Sequence, residues 1–323
     1  MKTIDEIAQF FNENANFCGR VLQHEPLSRR TTMRVGGEAA LFLEPADEAS
    51  LLHALQVLEE NGTPYFVLGG GSNVIISDEG FVRAVVISTR GLKSVLLADD
   101  GFHISVGAGA SWARVQSFCR ERGRGGFEPF AGLSGTVGGA VYMNATCFGF
   151  STNDRLCSVR YFDAATTAVN EYVLTDARRL TDWGYKRSPF QVSATGNEAR
   201  RIILSATFAV SLGYDAQKAA ACIESRKEKG HFRAPCAGST FKNDTANAVI
   251  AGKLIDDCGL KGFAVGGAQV APWHGNIIIN TGGATARDIW SLVEQVRNTV
   301  HERTGVFLEP EVLFCGDSAS AAW

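Results

Sequence analysis

Apolar positions along the chain first recur at helical spacing. Residues 4–16 carry the period of a short acidic amphipathic helix, and residues 47–60 carry it more strongly: Leu51, Leu52, Leu55 and Leu58 share one face, Asp47 can cap the start, and Gly62 lies beyond the end. Short runs rich in β-branched and aromatic residues then predict strands at 65–68, 81–87, 94–97 and 102–106, before a helix at 112–122. Further strands are expected at 157–163, 169–174 and 201–210. From Tyr214 onward the helical period dominates, at 215–229, 246–258 (with Gly259 past its end) and 285–303, where Thr285 and Asp288 have capping-box spacing. Strands at 276–279 and 311–314 lie between and after these helices. Meanders mixed with βαβ units predict an α+β chain rather than a doubly wound sheet, cut near Gly213 into a larger and a smaller part, with 317–323 a frayed tail.

Two breaks in this pattern carry candidate chemistry. The run Leu68-Gly69-Gly70-Gly71-Ser72-Asn73-Val74-Ile75-Ile76 places three consecutive glycines between apolar strands. Bare backbone there permits close approach of phosphate oxygens to successive N–H groups, with no basic residue needed. A P-loop is excluded because no Gly-Lys-Ser/Thr follows, and the dinucleotide fingerprint fails because Val74, Ile75 and Ile76 prolong a strand instead of opening a helix. Alone, the run reads equally well as a hairpin turn. The second run, Ala131-Gly132-Leu133-Ser134-Gly135-Thr136-Val137-Gly138-Gly139-Ala140, closes on Asn144. Two such runs can clasp a diphosphate from both sides, with Ser72, Asn73, Ser134 and Thr136 adding side-chain hydrogen bonds. A third glycine turn, Val106-Gly107-Ala108-Gly109-Ala110-Ser111, lacks the last glycine of the dinucleotide fingerprint.

Composition narrows the function classes. In 323 residues, 31 basic and 34 acidic side chains give a net charge of −3, so no broad cationic field exists for nucleic acid or anionic membrane. The eight cysteines form no Cys-x-x-Cys pair, which argues against a zinc site or disulfide framework and for reduced thiols in a cytoplasm. The first residues lack the apolar core of a secretory signal, and no apolar run reaches the length of a membrane span.

The glycine runs, with Thr31-Thr32-Met33-Arg34-Val35-Gly36-Gly37 before them and Ala237-Gly238-Ser239-Thr240-Phe241-Lys242-Asn243 and Leu308-Glu309-Pro310-Glu311-Val312 after them, closely resemble the UDP-N-acetylenolpyruvoylglucosamine reductases. The likeness runs in the same order from about Leu27 to Gly316, and the short stretch between Tyr185 and Gly213 resembles the subtype without an extra tyrosine-bearing loop. It implies a two-part FAD-binding domain of the vanillyl-alcohol-oxidase type over 1–213, divided at about residue 88, and a smaller α+β substrate domain over 214–316. It also implies non-covalent FAD, NADPH as reductant, and reduction of UDP-N-acetylglucosamine enolpyruvate to UDP-N-acetylmuramate in bacterial peptidoglycan synthesis. The expected partners are these two small molecules, with no nucleic acid, metal or membrane insertion, in a monomer or weak oligomer.

By that resemblance, FAD lies against Gly69, Gly70, Gly71, Ser72 and Asn73 and against Ser134, Gly135, Thr136, Gly138 and Gly139, with Val35, Gly36, Gly37 and Asn144 nearby. Reducing an enol ether of pyruvate requires a placed hydride donor, stabilisation of a developing enolate and a proton for the second carbon. Ser239 matches the proton donor, and Glu311 the assisting glutamate. Tyr185, Lys229 and Asn243 match substrate contacts, the last two at the UDP diphosphate and neighbouring groups. Taken singly, each has an ordinary reading: Ser239 as a turn hydroxyl, Glu311 a strand-end carboxylate, Lys229 and Asn243 a helix end and a turn. His274, in Trp273-His274-Gly275, reads as structural because no acid–base partner stands beside it in the sequence.

Departures from the family pattern are local. Tyr185-Lys186-Arg187-Ser188 stands where the family has Tyr-Arg-x-Ser, so Lys186 or Arg187 takes the place of the enolate-supporting arginine. Leu313 occupies a position where many short-subtype members carry another arginine. Asp244 replaces proline, Gly230-His231 replaces Gln-Pro, and Ser134 replaces a proline before Gly135. These changes keep open a flavin-binding paralogue with a sensing or assembly role, and a flavin oxidase acting on a sugar or alcohol.

Overall fold

The computed structural model describes residues 2–191, 200–244 and 249–317. Packing groups the chain into two compact units, each assembled from three segments. Unit 1 comprises Met1–Glu25, Ala40–Gly70 and Arg83–Ile223, and unit 2 comprises Pro26–Ala39, Gly71–Val82 and Glu224–Trp323. The boundary expected near Gly213 lies upstream of the last crossing, and two early segments belong to unit 2. Hydrophobic partners account for this: Met33, Val35 and Ile75 are buried with Phe241, Ile255, Leu292, Val293 and Val296.

Unit 1 carries a four-stranded sheet ordered Gly19–Pro26, Glu38–Pro45, Phe81–Ser88, Tyr65–Leu68, and an antiparallel five-stranded sheet ordered Ala168–Val173, Leu156–Asp163, Arg201–Ala209, His103–Gly107, Val95–Leu97. Helix Glu48–Glu60 forms as its pattern predicts: Asp47 accepts the Ser50 N–H at 2.8 Å, while Leu51, Ala54, Leu55 and Leu58 are buried with Leu41, Leu43, Val85 and Ile87. The five-stranded sheet serves two cores. Ile202 and Leu204 join that first cluster, whereas Ile203, Ala206 and Phe208 join Trp112, Phe127, Phe130 and Val137 in a second. The parity switches because the register shifts between Arg160 and Tyr161, and one extra residue sends the following side chains to the opposite face.

In unit 2 an antiparallel sheet runs Cys236–Ser239, Ile277–Asn280, Ala268–Val270, Ala264–Val265. Helix Ala286–Thr304 has its capping box, Thr285 with Asp288, and ends at Gly305 with φ +75°. Asp78 also accepts the N–H groups of Ala286 and Arg287 at 2.7 and 3.1 Å, fixing the segment after Val74–Ile76 to the helix start. Mixed, mostly antiparallel pairing makes the chain α+β. Several elements depart from the pattern reading, among them strands Ala264–Val265 and Ala268–Val270 and helix Asp176–Thr181. Gly19–Pro26 and Glu38–Pro45 are strands the hydrophobic pattern does not flag, and Val137–Met143 is a helix inside the second glycine run. The start of the helix expected at 246–258, and the tail after Asp317, lie outside the described residues; the helix is present as Ala251–Asp257.

Candidate active site

The first glycine run is not a hairpin. Tyr65–Leu68 pairs in parallel with residues 85–88, while Val74–Ile76 pairs in parallel with Leu313–Cys315. The chain passes from unit 1 to unit 2 between Gly70 and Gly71, so the predicted site residues fall into two sets.

In unit 1 the two glycine runs touch. A Cβ on Gly69 would sit 2.7 Å from Thr136 Oγ1, and one on Gly70 would sit 2.5 Å from the Gly135 Cα. Only glycine permits that approach. Arg90, which sequence reasoning missed, donates from Nε to the Gly69 carbonyl at 3.3 Å and from Nη2 to the Gly70 carbonyl at 2.9 Å. In a trans peptide the next N–H points opposite to the carbonyl, so the Gly70 and Gly71 N–H groups are turned away from Arg90. Among the hydrogen bonds of the described residues none uses the N–H of Gly70 or Gly135. The third glycine turn has a different purpose: Gly107 and Gly109 lie against the Leu92 and Thr89 carbonyls, where a side chain would collide.

Thr136 opens helix Val137–Met143, its hydroxyl accepting the Gly139 N–H at 3.4 Å. Gly138 is required by packing, since its Cβ would lie 2.8 Å from that of Ala108; Gly139 is exposed. Two glycines in seven residues oppose a helix by about 1 kcal/mol each, which is why propensity hides it. Asn144 ends the helix at φ +42°. It is 2% exposed and both ends of its amide are engaged: Nδ2 donates to the Gly184 carbonyl at 2.8 Å and Oδ1 accepts the Asn153 N–H at 3.1 Å. Asn144 therefore anchors the loop bearing Tyr185 and Lys186. Ser188 Oγ donates to the Tyr142 carbonyl at 2.7 Å and Gln191 Nε2 to the Lys186 carbonyl at 3.1 Å, completing the attachment.

Within that loop Lys186 and Arg187 have different surroundings. Arg187 Nη2 donates to the Thr181 and Trp183 carbonyls at 3.1 and 3.4 Å, holding the loop to the preceding turn. Lys186 is 9% exposed, has φ +56°, and its Nζ lies 5.7 Å from the centroid of the half-exposed Tyr185 ring. A left-handed, buried lysine is a strained arrangement, of the kind that gathers at functional positions.

In unit 2, Val35 is buried in the core, and Gly36 and Gly37 pack their backbone on Ile76 and Asp78, with the Gly37 N–H donating to the Ser77 carbonyl at 2.9 Å. Gly37 is thus required by chain approach, and Gly36 both by approach and by its φ of +123°. Gly71 adopts φ +66° against the Arg30 carbonyl, and its own carbonyl accepts the Thr32 N–H at 2.9 Å. Thr32 Oγ1 donates to the Cys236 carbonyl at 2.7 Å. Asn73 Nδ2 donates to the Glu311 carbonyl at 3.0 Å, its carbonyl accepts the Leu313 N–H at 2.9 Å, and the Glu311 N–H donates to the Thr240 carbonyl at 2.8 Å. Residues 73, 239–240 and 311, far apart in sequence, are brought together by these bonds. Leu313 contributes through its backbone to the parallel pair.

Ser239 closes strand Cys236–Ser239 just after Gly238, which has φ +77°, and its partly exposed hydroxyl has no hydrogen-bond partner among the described residues. Asn243 Oδ1 accepts the Ala251 N–H at 3.0 Å, capping helix Ala251–Asp257 while its exposed Nδ2 is left for other contacts. Lys229 is exposed just past helix Ala216–Glu228. Burial, with the Lys229 charge, pushes the His274 imidazole below its usual value, and His274 Nδ1 accepts the Asn276 N–H at 3.1 Å. A neutral imidazole engaged in that bond agrees with a structural His274.

Residues 39–170 match the FAD binding domain family, and residues 229–315 match the C-terminal domain of UDP-N-acetylenolpyruvoylglucosamine reductase. The reductase of Treponema denticola is 42% identical over 310 residues, covering 93% of this chain and 94% of its own. That of Geobacter metallireducens is 39% identical, covering 94% and 96%. A crystal structure of the Thermus caldophilus reductase aligns with a TM-score of 0.72 at 28% identity, covering 92% of this chain and 99% of that one. With both glycine runs and the Ser239 and Glu311 segments inside these matches, the chain belongs to the UDP-N-acetylenolpyruvoylglucosamine reductase family.

Proposed function

We propose that this protein is an FAD-dependent, NADPH-consuming UDP-N-acetylmuramate dehydrogenase. The observation that carries the reading is the contact between the Gly69–Gly70 backbone and Gly135–Thr136, a cradle that a single Cβ would fill. Bare N–H groups and flanking hydroxyls fit the diphosphate of a flavin dinucleotide. Residues 69–73, Ser134, Gly135, Thr136 and Gly139 hold it. Gly138 and Asn144 shape the chain that carries Gly135 and Thr136, and Val35, Gly36 and Gly37 shape the segment that follows Asn73. A flavin held there would supply hydride, drawn from NADPH, for the terminal carbon of the enolpyruvyl group.

The protein's own residues handle charge and proton. Lys186, buried and left-handed, is assigned to the enolate side, whereas Arg187 is exposed and its Nη2 is taken up by the Thr181 and Trp183 carbonyls. Its charge opposes the negative charge that develops on the pyruvate carbons. Ser239 Oγ–H gives its proton to the carbon bearing the ether oxygen, and Glu311 assists through its carboxyl group. Lys229 and Asn243 Nδ2 neutralise and orient the UDP diphosphate and its neighbours, and Tyr185 is assigned to the same substrate. Residues 1–213, apart from Tyr185 and Lys186, are assigned to FAD and 214–316 to the enolpyruvyl substrate, with residues 26–39 and 71–82 packing in the same unit as the latter. Its work is assigned to the cytoplasm, on soluble substrates, as a monomer or weak oligomer; no helix among the described residues is long and apolar enough to cross a membrane.

The test is a pair of half-reactions. Protein purified without added cofactor should be yellow, bleach anaerobically with NADPH, and recover colour on addition of UDP-N-acetylglucosamine enolpyruvate with formation of UDP-N-acetylmuramate. Recovery with oxygen alone would favour an oxidase or a sensing paralogue. Ser239→Ala should leave bleaching intact and slow recovery by about 10²- to 10⁴-fold; equal loss of both steps would remove Ser239 from the proton-donor role.

A further inference from the structure

The strand ending at Ser239 is fastened on either side and irregular between. Thr32 Oγ1 holds the Cys236 carbonyl at 2.7 Å. Past Ser239, Asn276 Nδ2 donates to the Phe241 carbonyl at 2.8 Å, Asn276 Oδ1 accepts the Phe241 N–H at 2.9 Å, and the Asn276 carbonyl accepts the Thr240 N–H at 2.9 Å. Between these attachments the register with Ile277–Asn280 shifts, and Gly238 takes φ +77°. A shifted register re-aims the side chain that follows it, so the direction of the Ser239 hydroxyl depends on where the chain is held.

Asn276 suits that purpose chemically. A primary amide presents a donor and an acceptor side by side, matching the C=O and N–H of one residue, and these two partners fix which way it points. Asn276 is 5% exposed, so water does not compete for the bonds, and loss of either leaves a buried polar group of Phe241 unpaired. Behind it, His274 Nδ1 accepts the Asn276 N–H.

We infer that Asn276 is a positioning residue for proton transfer by Ser239. It fixes the backbone at Thr240 and Phe241, and through it the aim of the Ser239 hydroxyl, while touching no reactant. This rests on Ser239 being the proton donor. Asn276→Asp turns the donor facing the Phe241 carbonyl into an acceptor, and Asn276→Ser shortens the side chain; both keep a polar group. Rates of the two half-reactions are taken per bound flavin in each variant, in Ser239→Ala, and in the doubles.

Asn276→Asp and Asn276→Ser should leave reduction by NADPH within about twofold and slow reoxidation by the enolpyruvyl substrate about tenfold to a hundredfold, the scale of a misaimed group. They should slow it no further when Ser239 is already alanine. Amide exchange in the peptide covering residues 236–242 should rise in both variants without substrate present. The inference is overturned by equal slowing of both half-reactions, by effects that multiply with Ser239→Ala, by unchanged reoxidation, or by failure of both variants to accumulate as flavoprotein. Ser239→Ala alone separates the two readings. If it leaves reoxidation fast, the proton-donor assignment has failed; if it slows reoxidation and the Asn276 variants do not, only the positioning role has failed.

Discussion

Gly70 and Gly238 are both required to be glycine, for opposite reasons. Around Gly70 the conformation is ordinary and the space is missing, since an added Cβ would come within 2.5 Å of the Gly135 Cα. Around Gly238 the space is open, with no atom within 4 Å of an added Cβ, and φ +77° is the obstacle. The first glycine lets two backbones form a cradle, and the second lets a strand turn a hydroxyl out of register. Steric exclusion by backbone cannot be relieved by a rotamer change, whereas a left-handed residue costs about 1–2 kcal/mol and leaves its neighbours in place.

The largest effect therefore belongs to Gly70→Ala. It should yield protein with little or no bound flavin, because the loop carrying residues 69–71 must leave Gly135 to admit the methyl group. Gly238→Ala should be destabilised by about 1–2 kcal/mol yet purify yellow. The ratio of flavin absorbance to protein absorbance reads the difference directly. Similar flavin loss in both variants would remove the distinction between a glycine needed for approach and one needed for conformation.

Sequence pattern could find the glycines but not sort them. Gly36, Gly37, Gly107 and Gly109 stand in equally suggestive runs, and the structure uses each to bring one chain segment against another. The capped helices at 48–60 and 286–304 were legible because their cues are local: a cap, a period and a stop. Arg90, Thr32 and Asn276 were not, since each acts on a segment distant in sequence through backbone carbonyls that any residue offers. The interleaved division of the chain escaped for the same reason, since Met33, Val35 and Ile75 look like ordinary core residues until their partners are known.

A smaller effect separates the two cations of the 184–191 loop in unit 1. Lys186→Met keeps the stem that packs there and removes the charge. It should slow reoxidation by the enolpyruvyl substrate by about a hundredfold, the scale for losing one group that stabilises developing negative charge, with flavin retention unchanged. Arg187→Met removes the bonds to Thr181 and Trp183 and should instead lower the melting temperature, with a milder kinetic effect spread over both half-reactions. Should Arg187→Met reproduce the selective loss expected for Lys186→Met, the arginine would be the enolate partner and the assignment would reverse.

The smallest effect is on stability, and it concerns unit 2. His231 is driven to a pKa of about 4 from an ordinary 6.5, chiefly by burial and then by the charges of Arg226, His274 and Lys229. His274 is shifted in the same direction. For a base lowered by folding, the unfolded chain takes up its proton first as pH falls. Stability is therefore full above about pH 6.5 and declines toward about pH 4, by about 1–2 kcal/mol once partial exposure of the ring is allowed for. In unit 1, Asp182 is held below the ordinary carboxylate range by hydrogen bonds from Thr181 and Tyr172, so its contribution persists until more acidic pH. Urea unfolding at about pH 7 and about pH 5, followed by proteolytic fragments assigned to each unit, should show unit 2 losing more ground than unit 1. His231→Gln should reduce that loss. An equal drop in wild type and His231→Gln would place the acid sensitivity in other groups.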